Sequence, residues 1–210
     1  LEGYYILVDA TAIKDASGNS YAGIGSSSVL NFTAADLSPP TLTSTSPADN
    51  ATGVALDSNI TLTFNETVVA GSGNITLFKS DNTQVEAIAV GSGQVAISGN
   101  AVTINPTANL QSLQGYYLKV AATALDDVSG NSFAGINNAT TVNFTAADAT
   151  APTLSSASPA DNATGVAVGA NIVLTFNENV VAGSGNITLK KSSDNSTVQA
   201  MAVGGANVSI

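Results

Sequence analysis

Apolar and polar residues alternate along most of this chain with a period of two. In Asn59-Ile-Thr-Leu-Thr-Phe-Asn65 the apolar Ile60, Leu62 and Phe64 fall on one face, and Thr61 and Thr63 on the other. The same alternation sets Ile75 and Leu77 against Asn74 and Thr76, and Val102 and Ile104 against Thr103. Tyr116, Leu118 and Val120 alternate with Tyr117 and Lys119, and Val142 and Phe144 with Asn143 and Thr145. Side chains of an extended strand point to opposite faces in turn, so each run reads as a strand buried on one side. Turn-forming clusters separate the runs: Pro47-Ala-Asp-Asn50, Gly71-Ser-Gly73, Gly91-Ser-Gly93, Ser98-Gly-Asn100 and Ser129-Gly-Asn131. The pattern predicts strands at 41–46, 59–65, 74–78, 85–90, 95–98, 101–104, 116–124 and 141–145, and no helix. So many short strands within about 110 residues match two packed sheets, an all-β sandwich. Leu110 and Tyr116 bracket a polar corner where such sandwiches place a tyrosine whose hydroxyl bonds back to the corner backbone.

The pattern also repeats. Gly3-Tyr4-Tyr5 recurs as Gly115-Tyr116-Tyr117, and Asp15-Ala-Ser-Gly-Asn19 as Asp127-Val-Ser-Gly-Asn131, both at an offset of 112. Asn31-Phe-Thr-Ala-Ala-Asp36 returns at 143–148, and Ser46-Pro-Ala-Asp-Asn-Ala-Thr-Gly-Val54 at 158–166. Thr63-Phe-Asn-Glu66 returns at 175–178 and Ala70-Gly-Ser-Gly-Asn-Ile-Thr-Leu77 at 182–189. One extra residue near Ser193 moves the offset to 113, which aligns Ile97 with Ile210. Residues 1–37 therefore read as the C-terminal part of one repeat, 38–149 as a complete repeat, and 150–210 as the N-terminal part of a third. Together the two partial repeats lack only the counterpart of 98–114. The expectation is a chain that continues in both directions, or whose halves are completed by neighbouring molecules, because a bare half-sandwich exposes strand edges and an open core.

Composition narrows the chemistry. Hydrophobic residues make up 44% of the 210, enough to fill a core, and only 10% are charged, so Thr, Ser, Asn and Gly must build most of the polar surface. Five lysines against fifteen acids, with no arginine, give a net charge of -10. That balance repels a phosphate backbone, and nucleic acid is excluded as a partner. With no histidine and no cysteine, zinc sites, Ser-His-Asp triads and thiol nucleophiles are excluded too. Glu66 and Glu178 occupy matching places in separate repeats, so they do not form the carboxylate pair of a glycosidase. The expectation is that the chain is not an enzyme. No run reaches the ~18 apolar residues of a membrane span.

Pro-Thr-Leu at 40–42, Ser46 through Val54, Leu62-Thr-Phe-Asn-Glu66, Gly115-Tyr-Tyr-Leu-Lys-Val120, Asp127-x-x-Gly-Asn131 and Asn143-Phe-Thr145 follow one another in a fixed order. In that order and spacing they resemble the bacterial Ig-like repeats of S-layer proteins and giant adhesins. The resemblance covers the complete repeat and both partial ones. It implies tandem immunoglobulin/fibronectin-III-like β-sandwiches of 112 residues and an extracellular, cell-surface protein with a structural or adhesive role. It implies no particular ligand, because one fold carries many functions.

Such a strand arrangement brings certain acids together. The loop after 59–65 begins at Glu66, the loop before the last strand holds Asp126, Asp127 and Asn131, and the incoming linker carries Asp36 ahead of Leu37-Ser-Pro-Pro40. All belong to the pole where the chain enters the repeat, and five oxygen-bearing side chains there suit calcium, which takes 6–8 oxygen ligands. Asp148 and Glu178 repeat the pattern at the next junction, and Asp15 and Asn19 are the earlier loop counterparts. The plainer alternative is that Asp-x-Ser-Gly-Asn is a tight turn in which Asp bonds its own backbone, and the absence of a dense Asp-x-Asp run favours it. Asn-x-Ser/Thr triplets, as at Asn31, Asn50, Asn59, Asn74, Asn138 and Asn186, arise readily in a Thr- and Asn-rich strand protein.

Two functional readings follow. In the first the repeats form a stalk, filament, sheath or S-layer element, giving length and stiffness, with neighbouring repeats or identical subunits as partners. In the second they are adhesive modules that hold glycan or a host protein by their loops. Loops made of Gly, Ser, Asn and Ala lack the exposed aromatics and arginines of binding surfaces, which favours the first.

Overall fold

The computed structural model describes residues 2–210. Among the described residues there are strands and no helix. In chain order they are β1 (Gly3–Tyr5), β2 (Asn31–Thr33), β3 (Leu42–Ser46), β4 (Ala51–Val54), β5 (Ile60–Phe64) and β6 (Val68–Ala70). There follow β7 (Asn74–Lys79), β8 (Gln84–Ala89), β9 (Val95–Ser98), β10 (Ala101–Ile104), β11 (Gly115–Val120), β12 (Leu125–Asp127) and β13 (Asn143–Ala146). The last four are β14 (Leu154–Ser158), β15 (Val173–Phe176), β16 (Asn186–Lys190) and β17 (Thr197–Ala202). The chain divides into two compact units, one running to Ala149 and the other Thr150–Ile210.

The complete repeat is a two-sheet sandwich. One sheet has the order β3-β5-β10-β9, the other β4-β13-β11-β7-β8, and β6 and β12 form a small third ladder. The alternation seen in the sequence decides the core. Ile60, Leu62, Phe64, Val102 and Ile104 turn inward from the first sheet; Ile75, Leu77, Leu118, Val120 and Phe144 turn inward from the second. Burying each such side chain is worth roughly 1.5–3 kcal/mol, which is why the register cannot slip by one residue. That register sets Leu62 opposite Val102 and Leu77 opposite Leu118. Phe64 meets Phe133 edge to face at 5.1 Å, closing the end of the core near β12.

The corner tyrosine is in place. The Tyr116 hydroxyl accepts a 2.8 Å bond from the Gln111 amide, while the Leu110 amide donates to Leu56 O. Three short strands were not foreseen. β4 follows the Pro47–Asn50 turn and runs parallel to β13, held by the Asp49 carboxylate, which accepts the Asn143 backbone and side-chain amides. β6 and β12 pair with each other across the end of the sandwich, so Asp126 and Asp127 lie in a strand rather than in a loop.

The flanking segments copy the complete repeat. β1 pairs with β2 as Gly3↔Thr33, Tyr4↔Phe32 and Tyr5↔Asn31, which is the Gly115↔Thr145, Tyr116↔Phe144 and Tyr117↔Asn143 ladder of β11 and β13. The bridge Val8↔Ile24 likewise repeats Val120↔Ile136. In the last unit β14 pairs with β15 as β3 does with β5, and β16 with β17 as β7 does with β8.

Candidate metal centre

The site begins with the return of the chain onto β5. Asn65, just past that strand, accepts the Thr41 amide on its side-chain oxygen at 2.6 Å, and its own amide donates to Thr41 O at 3.0 Å. Thr153 and Asn177 make the same two bonds in the last unit. This pair fixes where the incoming segment meets the end of β5, and so places Asp36 near Glu66. Sequence reasoning overlooked Asn65, although the repeated Thr-Phe-Asn-Glu was its signal.

Asp127 ends β12 and closes the turn that follows. One carboxylate oxygen accepts the Ser129 and Asn131 amides, each at 2.8 Å, and the other accepts Asn131 Nδ2 at 2.7 Å. The side chain is 1% exposed. Burial works against its ionisation, but the bonds from the Asn131 side chain and from the Asn131 and Ser129 backbone outweigh it and hold its pKa below the ordinary aspartate value. Asp15 makes the same turn with Ser17 and Asn19 and is lowered as well, first by the Asn19 side chain.

Asn131 then reaches the linker, donating from Nδ2 to Asp36 O at 3.1 Å, while the Asp36 carboxylate accepts the Ser38 amide at 3.0 Å. Asp36, Glu66 and Asp127 thereby come together, and one carboxylate oxygen from each lies within 4.8 Å of the other two. Oxygens ligating one calcium at 2.3–2.6 Å stand no farther apart than about 5 Å, so all three can reach a single ion. Without a cation, three carboxylates so close repel one another.

The other predicted ligands are arranged differently. Asp126 alternates to the opposite face of β12 and accepts the Ser132 hydroxyl at 2.6 Å, away from the cluster. Asn131 presents its NH2 group, a donor that braces Asp36 and Asp127 rather than ligating a metal. Asp148 accepts the Ser112 hydroxyl at 3.0 Å. Asp148 and Glu178 fall on either side of the division at Ala149 between the two compact units.

A bacterial Ig-like domain profile matches residues 36–146 and again 148–210. The chain belongs to the bacterial Ig-like domain family. No curated protein matches it. Among solved structures it is similar to CopC from Methylosinus trichosporium OB3b, at 17% identity and a TM-score of 0.38, over 53% of this chain and 97% of that one. It is also similar to the S-layer protein rSbsC(31-844), at 15% identity and a TM-score of 0.36, and to the N-terminal part of the bacterial S-layer protein SbsC with the same two values. Each S-layer match covers 80% of this chain, which spans only 24% and 42% of those two chains. No helix among the described residues of this Ig-like chain is long and apolar enough to cross a membrane.

Proposed function

We propose that these Ig-like repeats are a structural segment of an extracellular bacterial surface protein, giving it length and stiffness, and that calcium held by Asp36, Glu66 and Asp127 locks each incoming linker onto its repeat. The observation that carries this reading is the meeting of one linker acid with two acids of the folded repeat. A divalent cation there relieves the repulsion and ties Asp36, Glu66 and Asp127 into one rigid joint. The recurrence of the β11–β13, β3–β5 and β7–β8 ladders at the repeat offset supports a role resting on shape. The outer sheet face supports it too: Tyr117 stacks on Phe78 at 5.1 Å, bonds Asn82 through its hydroxyl and lies under Lys119, so it is 3% exposed and offers no bare ring to a sugar.

Melting the chain in calcium and in chelator tests the calcium joint. A ligand at one hundred times its Kd stabilises by about 2.7 kcal/mol. At about 4–8 °C per kcal/mol for a domain of this size, Tm rises by at least roughly 10 °C in calcium. Glu66→Gln weakens that response and, by removing one of three mutually repelling charges, does not lower the chelator value and raises it slightly. Identical melting with and without calcium would remove the metal from the proposal.

A further inference from the structure

We propose that Glu86, Thr107 and Gln94 form a self-processing site, in which the Thr107 hydroxyl attacks the Gln94 carboxamide, joins the two side chains by an ester and releases ammonia. Each member meets the other two. Thr107 Oγ1 donates to Glu86 Oε1 at 2.6 Å, while Gln94 Nε2 donates to the same carboxylate oxygen at 2.8 Å and to Thr107 Oγ1 at 2.9 Å. A nucleophile, a base and a carboxamide in mutual contact are what acyl transfer requires. Three elements supply them. Glu86 lies on β8, the edge strand of one sheet, Gln94 immediately precedes β9, the edge strand of the other, and Thr107 follows β10. The Asn105 amide donates to Gln94 O at 2.8 Å, and Gln94 Nε2 to Asn105 O at 3.2 Å, which sets the two segments side by side. Pro106 stiffens the one step from there to Thr107, whose amide donates to Glu86 Oε2 at 2.9 Å.

The fold does not need these residues for its own sake. At the offset of 113 the last unit has Gln199 and Asn207 in the places of Glu86 and Gln94, and its β16–β17 ladder still matches β7–β8. The reaction balances within the trio. Thr107 Oγ1 bonds to the Gln94 carbonyl carbon and gives its proton to Glu86 Oε1. The carbon–Nε2 bond breaks, Nε2 takes that proton from the same carboxylate oxygen, and ammonia departs. Burial raises the Glu86 pKa, but the bonds from Thr107 and Gln94 outweigh it, so at neutral pH the group is a carboxylate able to accept the proton. A carboxamide resists attack, so the help must be large. Holding the hydroxyl beside it is worth an effective concentration of roughly 10⁵–10⁸ M. A positioned base contributes a further factor of about 10²–10⁴. Glu86 and Gln94 are half-buried and Thr107 is exposed, so ammonia leaves to solvent, where its dilution draws the reaction onward. The step runs once per chain and leaves a covalent staple across the open end of the β9–β10 hairpin.

The intact mass of the full-length chain, followed over days at neutral pH, tests the proposal. The folded chain is expected to become lighter by one ammonia, about 17 Da. Thr107→Ser keeps the hydroxyl and loses the same mass, whereas Thr107→Val, of equal shape, keeps its full mass. Glu86→Gln slows the change at least about 100-fold. Fragmentation of the lighter chain gives no separated backbone pieces between Gln94 and Thr107 until mild alkali adds water, which opens the ester and leaves a carboxylate on side chain 94. A native chain that keeps its full mass overturns the proposal. So does a loss of ammonia that persists in Thr107→Val, for it would come from an asparagine closing on its own backbone.

Discussion

Asp127 shows how a turn residue comes to look like a ligand. Its carboxylate satisfies three donors of its own loop, and the bracing of Asn131 against Asp36 is a consequence of that closure. Because its pKa is depressed in the folded state, the stability it contributes is fully present above the unfolded value of about 3.9 and is lost as pH falls through the folded value. Glu86 acts in the same sense: burial opposes its ionisation, but bonds from Thr107 and Gln94 prevail and lower its pKa. In chelator, the melting temperature of the chain is expected to hold steady from pH 7 to about 5 and to decline below about 4. Asp127→Asn lowers it at neutral pH and flattens that acid limb, since the new NH2 group faces Asn131 Nδ2 and no proton is taken up there. A melting curve of this variant as steep in acid as that of the native chain contradicts the assignment.

At the level of elements, strand faces were legible and strand ends were not. Ile60, Leu62 and Phe64 could be assigned to the core because a two-residue period leaves one solution once one face is buried. β4, β6 and β12 escaped because each spans only three or four residues and owes its pairing to a distant partner: β13 for the first, and each other for the second and third. That omission misplaced Asp126, whose orientation is fixed by alternation along β12. The approach of Glu66, Asp36 and Asp127 followed from loop order alone, whereas the brace through Asn65 depends on hydrogen bonds that spacing does not reveal. One glycine also shows the limit of the pattern. Gly135 has φ +79, and a Cβ there would sit 2.6 Å from Val120 O and 2.8 Å from Ala122 N. Both are backbone atoms and cannot swing aside. Gly23 repeats the geometry against Val8 and Ala10. Gly135→Ala is therefore expected to cost at least roughly 1–3 kcal/mol in urea unfolding, through strain and through loss of the Val120–Ile136 bridge. A variant within a few tenths of a kcal/mol of the native chain would mean that this crossing is softer than its contacts imply.

Over the whole molecule, stability is unevenly shared. Every residue of the buried core lies between Val54 and Ala146, while β1, β2 and β14 to β17 form separate two-stranded ladders whose apolar faces meet water. A two-stranded ladder is marginal by itself, since its hydrogen bonds exchange with solvent at little cost. Amide exchange in dilute solution should accordingly divide the chain. Peptides from β5, β7, β10 and β11 exchange only by global unfolding, and those from the outer ladders exchange by local opening, at least about 100-fold faster. Uniform protection in dilute solution would be the adverse result, for it would mean that the outer ladders draw their stability from somewhere other than the packing described.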